Sequence, residues 1–103
     1  MLQCERRQME KKKMDNKELE ENIARKQDLV RKALVKQYIE YRKNRNLTQE
    51  ELACTMGIKR PNISRFETGE YNPTLDLLVK MAECMNLEIE IILTEKGSGN
   101  EEQ

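Results

Sequence analysis

Leu47 to Gly69 reads LTQEELACTMGIKRPNISRFETG, and the order of residue types in it predicts two short helices meeting at a turn. Thr48 and Glu51 form a capping box: the Thr48 hydroxyl accepts from the Glu51 amide, and the Glu51 carboxylate accepts from the Thr48 amide. Leu47 and Leu52 flank that cap as a hydrophobic staple, so the first helix begins at Gln49. Asn46, just upstream, suits the left-handed position that ends a preceding helix. Counted from Gln49, Ala53 comes fifth and Gly57 ninth, with apolar Leu52, Met56, Ile58, Ile63 and Phe66 between and after them. Two helices that cross steeply through a short turn need a small side chain at the crossing and a glycine free to take positive φ. Pro61 fits only the first turn of the second helix, where no amide hydrogen bond is lost, so that helix starts near Lys59 or Arg60. Gly69 supplies its stop.

The solvent face of the second helix carries Lys59, Arg60, Asn62, Ser64 and Arg65. Lys and Arg pair with phosphates, Arg can donate two hydrogen bonds to guanine, and Asn can engage adenine in the same two-pronged way. Three positive charges and no acid lie between Lys59 and Arg65, inside a half of the chain that is otherwise acidic. Together with the cap and the Ala, Gly and Pro placements, that cluster reads as a surface for double-stranded DNA rather than an ordinary solvated face.

Working outward, residues 17–44 hold no Gly or Pro and are rich in Glu, Lys, Arg, Leu and Ala, which favours a long helix. Leu19, Ile23, Val30, Leu34, Tyr38 and Tyr41 trace an apolar stripe along it, broken at Lys26 and Gln27. The break leaves two readings open: a long coiled coil, or a helix of which only the part from about Leu29 joins the core. Residues 1–17 read as a disordered or frayed arm, 18–29 as a helical extension, 30–93 as the folded domain and 94–103 as a disordered tail. Downstream, Thr74 caps a further helix with Asp76 in its first turn, and Leu75, Leu78, Val79, Ala82 and Met85 give it an apolar stripe that leaves Leu77 and Met81 off centre. Asn86 suits its left-handed end. LEIEIIL, residues 87–93, then changes the period to two, with Leu87, Ile89, Ile91 and Leu93 on one side. This is the pattern of a strand that pairs with a partner protein or with its own symmetry mate.

The 103 residues suffice for one small core, and no stretch approaches a membrane helix or a secretion signal, so a cytoplasmic chain with no membrane partner is expected. Nineteen basic and nineteen acidic residues give zero net charge, which at first argues against a nucleic-acid ligand. The neutrality is a cancellation: residues 1–46 hold 14 basic and 8 acidic side chains, and residues 47–103 hold 5 and 11. With no His, no Gly-rich phosphate loop and an odd set of cysteines, Cys4, Cys54 and Cys84, an enzyme is the poorest class and neither a metal nor a cofactor is expected. Cys54 and Cys84 read as helix-borne thiols without catalytic use.

From about Leu34 to Leu87 the chain resembles the Cro and phage-repressor type of helix-turn-helix proteins, the XRE family. Phe66, Glu67 and Gly69, then Asn72, Pro73 and Thr74, match the residues that come after the family's recognition helix. The resemblance implies an all-α, repressor-like domain, here with a long N-terminal helical extension and a short C-terminal β-strand. It implies DNA contacts by Thr48, Gln49, Lys59, Arg60, Asn62, Ser64 and Arg65, with Gln49 meeting a phosphate and supporting a base-reading side chain. It also implies a structural ion pair between Arg42 and Glu67. Lys59 and Pro61 depart from the usual small N-cap and polar residue, so fewer base contacts are expected near Pro61. The basic extension and the Glu- and Ile-rich ending further resemble HigA-type antitoxins. That likeness implies a homodimer that represses its own operon and neutralises a small basic ribonuclease toxin of the RelE/HigB-like kind, with Leu87, Ile89, Ile91 and Leu93 as the dimer or toxin contact strand. A free-standing XRE-family regulator without a toxin, or a protein-interaction module, are the alternatives.

Overall fold

The computed structural model describes residues 16–96. Residues 1–15, with Cys4 and most of the expected arm, and residues 97–103 of the expected tail lie outside the described residues. Four helices follow one another: α1 (Asn16–Asn44), α2 (Gln49–Met56), α3 (Arg60–Glu67) and α4 (Leu75–Cys84). None is long and apolar enough to cross a membrane.

Short polar signals set the boundaries. The Thr48 hydroxyl accepts from the Glu51 amide at 3.0 Å and the Glu51 carboxylate accepts from the Thr48 amide at 2.9 Å, closing the capping box of α2. Thr74 caps α4 by accepting from the Leu77 amide at 3.1 Å. Three helices end by one device, in which a left-handed residue lets two successive amides turn back to orphan carbonyls. At Asn46 (φ 54°) the bonds are Asn46 N–H to Lys43 O and Leu47 N–H to Arg42 O. At Gly57 (φ 75°) they run from Gly57 to Cys54 and from Ile58 to Ala53, and at Asn86 (φ 60°) from Asn86 to Glu83 and from Leu87 to Ala82. Lys59 gives α3 no side-chain cap, and Pro61 sits in its first turn.

The helices enclose one core. Val35 and Tyr38 of α1 meet Leu52, Ala53 and Met56 of α2, Ile63 and Phe66 of α3, and Leu78, Met81 and Ala82 of α4, with Met85 beyond. The Tyr38 ring stands edge-on to Phe66, centroids 5.6 Å apart at 81°, while its hydroxyl donates to the Leu78 carbonyl at 2.8 Å. One side chain thus ties α1 to both α3 and α4. Burial pushes its phenol pKa above the ordinary tyrosine value.

Three expectations need correction. The residues of α1 that reach the core are Val35, Tyr38 and Arg42, with Leu34 and Ile39 at the margin, whereas Leu19, Ile23, Val30 and Tyr41 stay largely exposed. Among the described residues the remaining helices cover only one flank of the C-terminal half of α1, so apolar residues elsewhere on it are not enclosed. In α4 the buried stripe is Leu78, Met81, Ala82 and Met85, while Leu75 and Val79 are exposed. The same 3.6-residue period fits both stripes, and only the direction of α2 and α3 chooses between them.

The C-terminal strand expected at Leu87, Ile89, Ile91 and Leu93 does not form. Residues 87–95 have no regular secondary structure, and among the described residues no backbone-to-backbone hydrogen bond comes after that of Leu87. A ladder needs a second extended segment, and among the described residues there is none to pair with it. Leu87 and Ile89 still pack against the core margin, but Ile91 is 65% and Leu93 92% exposed.

Candidate nucleic-acid interface

The two faces of α3 divide by chemistry. Ile63 and Phe66 are 1% exposed and fix the helix against α1 and α2. Lys59, Arg60, Pro61, Asn62 and Arg65 are exposed and Ser64 is half-buried, so the side away from the core presents three cations and two small polar groups. The buried pair holds the backbone, and 3.6 residues per turn does the rest: a residue one or two places from an anchor must point outward.

Behind this face runs a chain of polar contacts joining three helices. Arg42 of α1 lies against Glu67 of α3 in a two-pronged pair, Nε to Oε2 at 2.7 Å and Nη2 to Oε1 at 3.1 Å, and its third nitrogen donates to the Leu47 carbonyl at 2.7 Å. Gln49 at the start of α2 donates through Nε2 to Glu67 Oε1 at 2.8 Å and accepts at Oε1 from Arg60 Nη1 at 3.0 Å. The order Arg42, Glu67, Gln49, Arg60 therefore connects a buried ion pair to an exposed guanidinium. An arginine left to itself samples many rotamers, and one held at a fixed amide loses part of that freedom before any ligand arrives. Thr48 is exposed, and because its oxygen accepts in the capping box its hydroxyl proton remains free to donate outward.

One tether on this side escapes sequence reasoning. Arg31 donates from Nε to the Gly69 carbonyl at 2.9 Å, pinning α1 to the end of α3 across 38 residues. Arg31 belongs to a run of surface charges, also facing Asp28 at 3.5 Å, and nothing in its local pattern sets it apart from Arg25 or Lys32. Cys54 is exposed and Cys84 half-buried, each a free thiol. Among the described residues no group of His, Cys, Asp or Glu is arranged to hold a metal ion.

A family model described as Helix-turn-helix (HTH_3) matches residues 39–92, which covers all of α2, α3 and α4 and the end of α1. The chain belongs to the helix-turn-helix family. Among its relatives is an uncharacterised HTH-type transcriptional regulator of Archaeoglobus fulgidus, 47% identical over 53 residues, which span 52% of this chain and 75% of that protein. The control protein C.SmaI of Serratia marcescens is 34% identical over 73 residues, 71% of this chain and 87% of the relative. An HTH-type transcriptional regulator of Methanothermobacter thermautotrophicus is 40% identical over 62 residues, 57% and 90% of the two chains. In helix-turn-helix terms α2 and α3 are the paired helices, Gly57 lies in their turn and α3 is the second, outward-facing member. The family segment begins within α1, at residue 39, while α1 residues on both sides of that point, Val35, Tyr38 and Arg42, are buried with the other helices.

Proposed function

We propose that this protein is a sequence-specific DNA-binding transcriptional regulator that acts as a homodimer, with α3 in the major groove. The observation that carries this reading is the exposed row of Lys59, Arg60, Asn62 and Arg65 on a helix whose opposite face is locked by Ile63 and Phe66. Arg60, steadied by Gln49, and Arg65 read base edges. Lys59, Ser64 and the Thr48 hydroxyl meet phosphates, and the second amide hydrogen of Gln49 faces the same backbone. A two-fold pair would place two such helices about 34 Å apart, one turn of DNA.

The test starts with selection of bound sequences from a random DNA pool, then measures fluorescence anisotropy on the selected site. Arg65→Ala should cost about 1–3 kcal/mol on that site and relax its sequence preference, while Lys59→Ala should weaken all sequences alike. Affinity should fall with salt at a logarithmic slope of about −0.9 per neutralised phosphate. A flat salt series, or unchanged discrimination in both Arg60→Ala and Arg65→Ala, refutes this face.

A second reading is supported by the exposed Ile91, Ile92 and Leu93 near the C-terminal end of the described residues and by the resemblance to HigA-type antitoxins. The protein then also neutralises a small basic ribonuclease toxin and autoregulates its operon. Co-expression with the neighbouring gene decides it: an antitoxin retains a small basic partner through purification, and a free-standing regulator purifies alone.

A further inference from the structure

One face of α1 carries apolar side chains that the described residues leave uncovered: Leu19 and Ile23 are each 45% exposed and Val30 is 55% exposed. With Leu34 they form one wall of an open groove of about 740 Å³, and Pro73 and Leu78 stand on the other. The charged residues that line it are Arg25, Lys26, Arg31 and Lys96, all basic, with no acid among them. Arg31 already faces Asp28 and the Gly69 carbonyl, and Arg25 donates to Asn22. Lys26 and Lys96 are exposed and form no ion pair among the described residues. An apolar floor inside a basic rim fits an occupant that is both apolar and acidic. No residue of α2 or α3 lines the groove, so filling it leaves the face of Lys59, Arg60 and Arg65 free.

We propose that this groove receives residues 90–95 of a second copy of the chain, whose own groove receives the same residues in return. The proposal deepens the homodimer reading above and rests on it. Chemistry names the occupant. Among the described residues the uncovered large apolar side chains lie on α1, on α4 and in residues 91–93. Bases are mixed among the acids of α1 and α4, whereas residues 87–95 carry Glu88, Glu90 and Glu95 and no base. Residues 1–15 hold more bases than acids, and residues 97–103 hold Glu101 and Glu102 but no apolar side chain, so neither supplies both qualities.

Geometry agrees with that choice. Six extended residues from Glu90 to Glu95 span about 20 Å, and α1 rises about 22 Å from Leu19 to Leu34. Ile91, Ile92 and Leu93 are 65%, 71% and 92% exposed, so all three are available to a neighbour. Their own groove does not take them: Ile89 packs at the core margin and Lys96 lines the groove, while the stretch between holds its apolar side chains in solvent. The uncovered segment and the uncovered groove therefore lie side by side on one surface. A surface with an acidic apolar ridge beside a basic apolar groove is complementary to itself. A two-fold axis fills both grooves at once, so the contact closes as a dimer and leaves no free end to propagate.

Photo-crosslinking in the full-length protein, without DNA, tests the arrangement. Leu93 is replaced by benzoylphenylalanine in an equal mixture of unlabelled and heavy-isotope chains, so that mass spectrometry separates crosslinks between copies from those within one. Light should join position 93 of one copy to residues 19–34 of the other. Leu93→Glu, at a side chain the fold leaves in solvent, should reduce the mass measured by light scattering from dimer to monomer with an unchanged thermal melt. Glu90→Lys with Glu95→Lys should weaken dimerisation about tenfold, because the two-fold axis repeats each rim contact. Arg25→Glu with Lys26→Glu should do the same, and the four changes together should restore the dimer. A monomeric wild-type chain overturns the proposal, including one that captures a different protein through position 93. So do crosslinks confined to one copy, crosslinks between copies that avoid residues 19–34, a dimer that survives Leu93→Glu, charge reversals without effect, or a four-fold variant that is not restored. Crosslinks to residues 19–34 in a chain unable to bind any DNA refute the regulator reading and leave the pairing standing. Site-specific DNA binding by a chain without those crosslinks does the reverse.

Discussion

Replacing Glu67 by Ala removes the acceptor on which three polar groups converge. Arg42 is 8% exposed, and the substitution strips the carboxylate from its Nε and Nη2, leaving only the Leu47 carbonyl on Nη1. Gln49 loses the acceptor of its Nε2 at the same time. Removing one member of a buried ion pair costs about 3–5 kcal/mol, against about 1 kcal/mol or less for an exposed pair. The Arg42 and Glu67 side chains keep 9% and 10% of their surface, so water relieves part of the penalty and the lower end, about 3 kcal/mol, applies. In a domain of this size each kcal/mol moves the midpoint by about 4–8 °C, so Glu67→Ala should melt roughly 12–24 °C below the wild type. Far-UV circular dichroism in heat and in urea reads both the shift and the free energy. The double variant Arg42→Met with Glu67→Leu discards both charges for apolar surface, and it should recover most of the loss because the cost lies in the orphaned guanidinium rather than in the missing attraction. A Glu67→Ala protein within about 1 kcal/mol of wild type, or a double variant less stable than the single one, would refute this reasoning.

Gln49→Ala should leave stability nearly unchanged but cut affinity for the selected DNA site, because it frees Arg60 from its 3.0 Å anchor; equal DNA affinity would show that the anchor does nothing. Tyr38→Phe should cost about 1 kcal/mol at neutral pH through the lost bond to Leu78. Burial raises the Tyr38 pKa, so the wild-type advantage is complete below the ordinary value of about 10 and is lost as pH rises through the higher folded value. Urea midpoints of the two proteins should therefore converge in alkali, and a gap that widened would contradict the sign. Gly57→Ala places a Cβ where nothing lies within 4 Å, so its cost is backbone strain at φ 75° alone, about 1–2 kcal/mol by denaturation. A larger loss would point to a clash that the geometry does not contain.

The sequence by itself determined the boundaries of the helices and the chemistry of α3. Thr48 with Glu51, Thr74, Asn46, Gly57, Pro61 and Asn86 act within a few residues of themselves, through caps, left-handed turns and a missing amide. Local rules of that kind are written in order along the chain, and so is the clustering of Lys59, Arg60 and Arg65. What tertiary structure decided is everything that depends on which way a helix faces. Met81 and not Val79 enters the core because α2 lies on that flank of α4, and a stripe of apolar residues on α1 stays in solvent because no other described element covers it. The chain from Glu67 through Gln49 to Arg60, and the bond from Arg31 to Gly69, span 11 to 38 residues and exist only once the helices have packed. In the ending LEIEIIL the local pattern is clear and the tertiary partner is missing. Alternation states which faces a strand would have, but a strand is a property of two chain segments, and among the described residues no second extended segment pairs with residues 87–93.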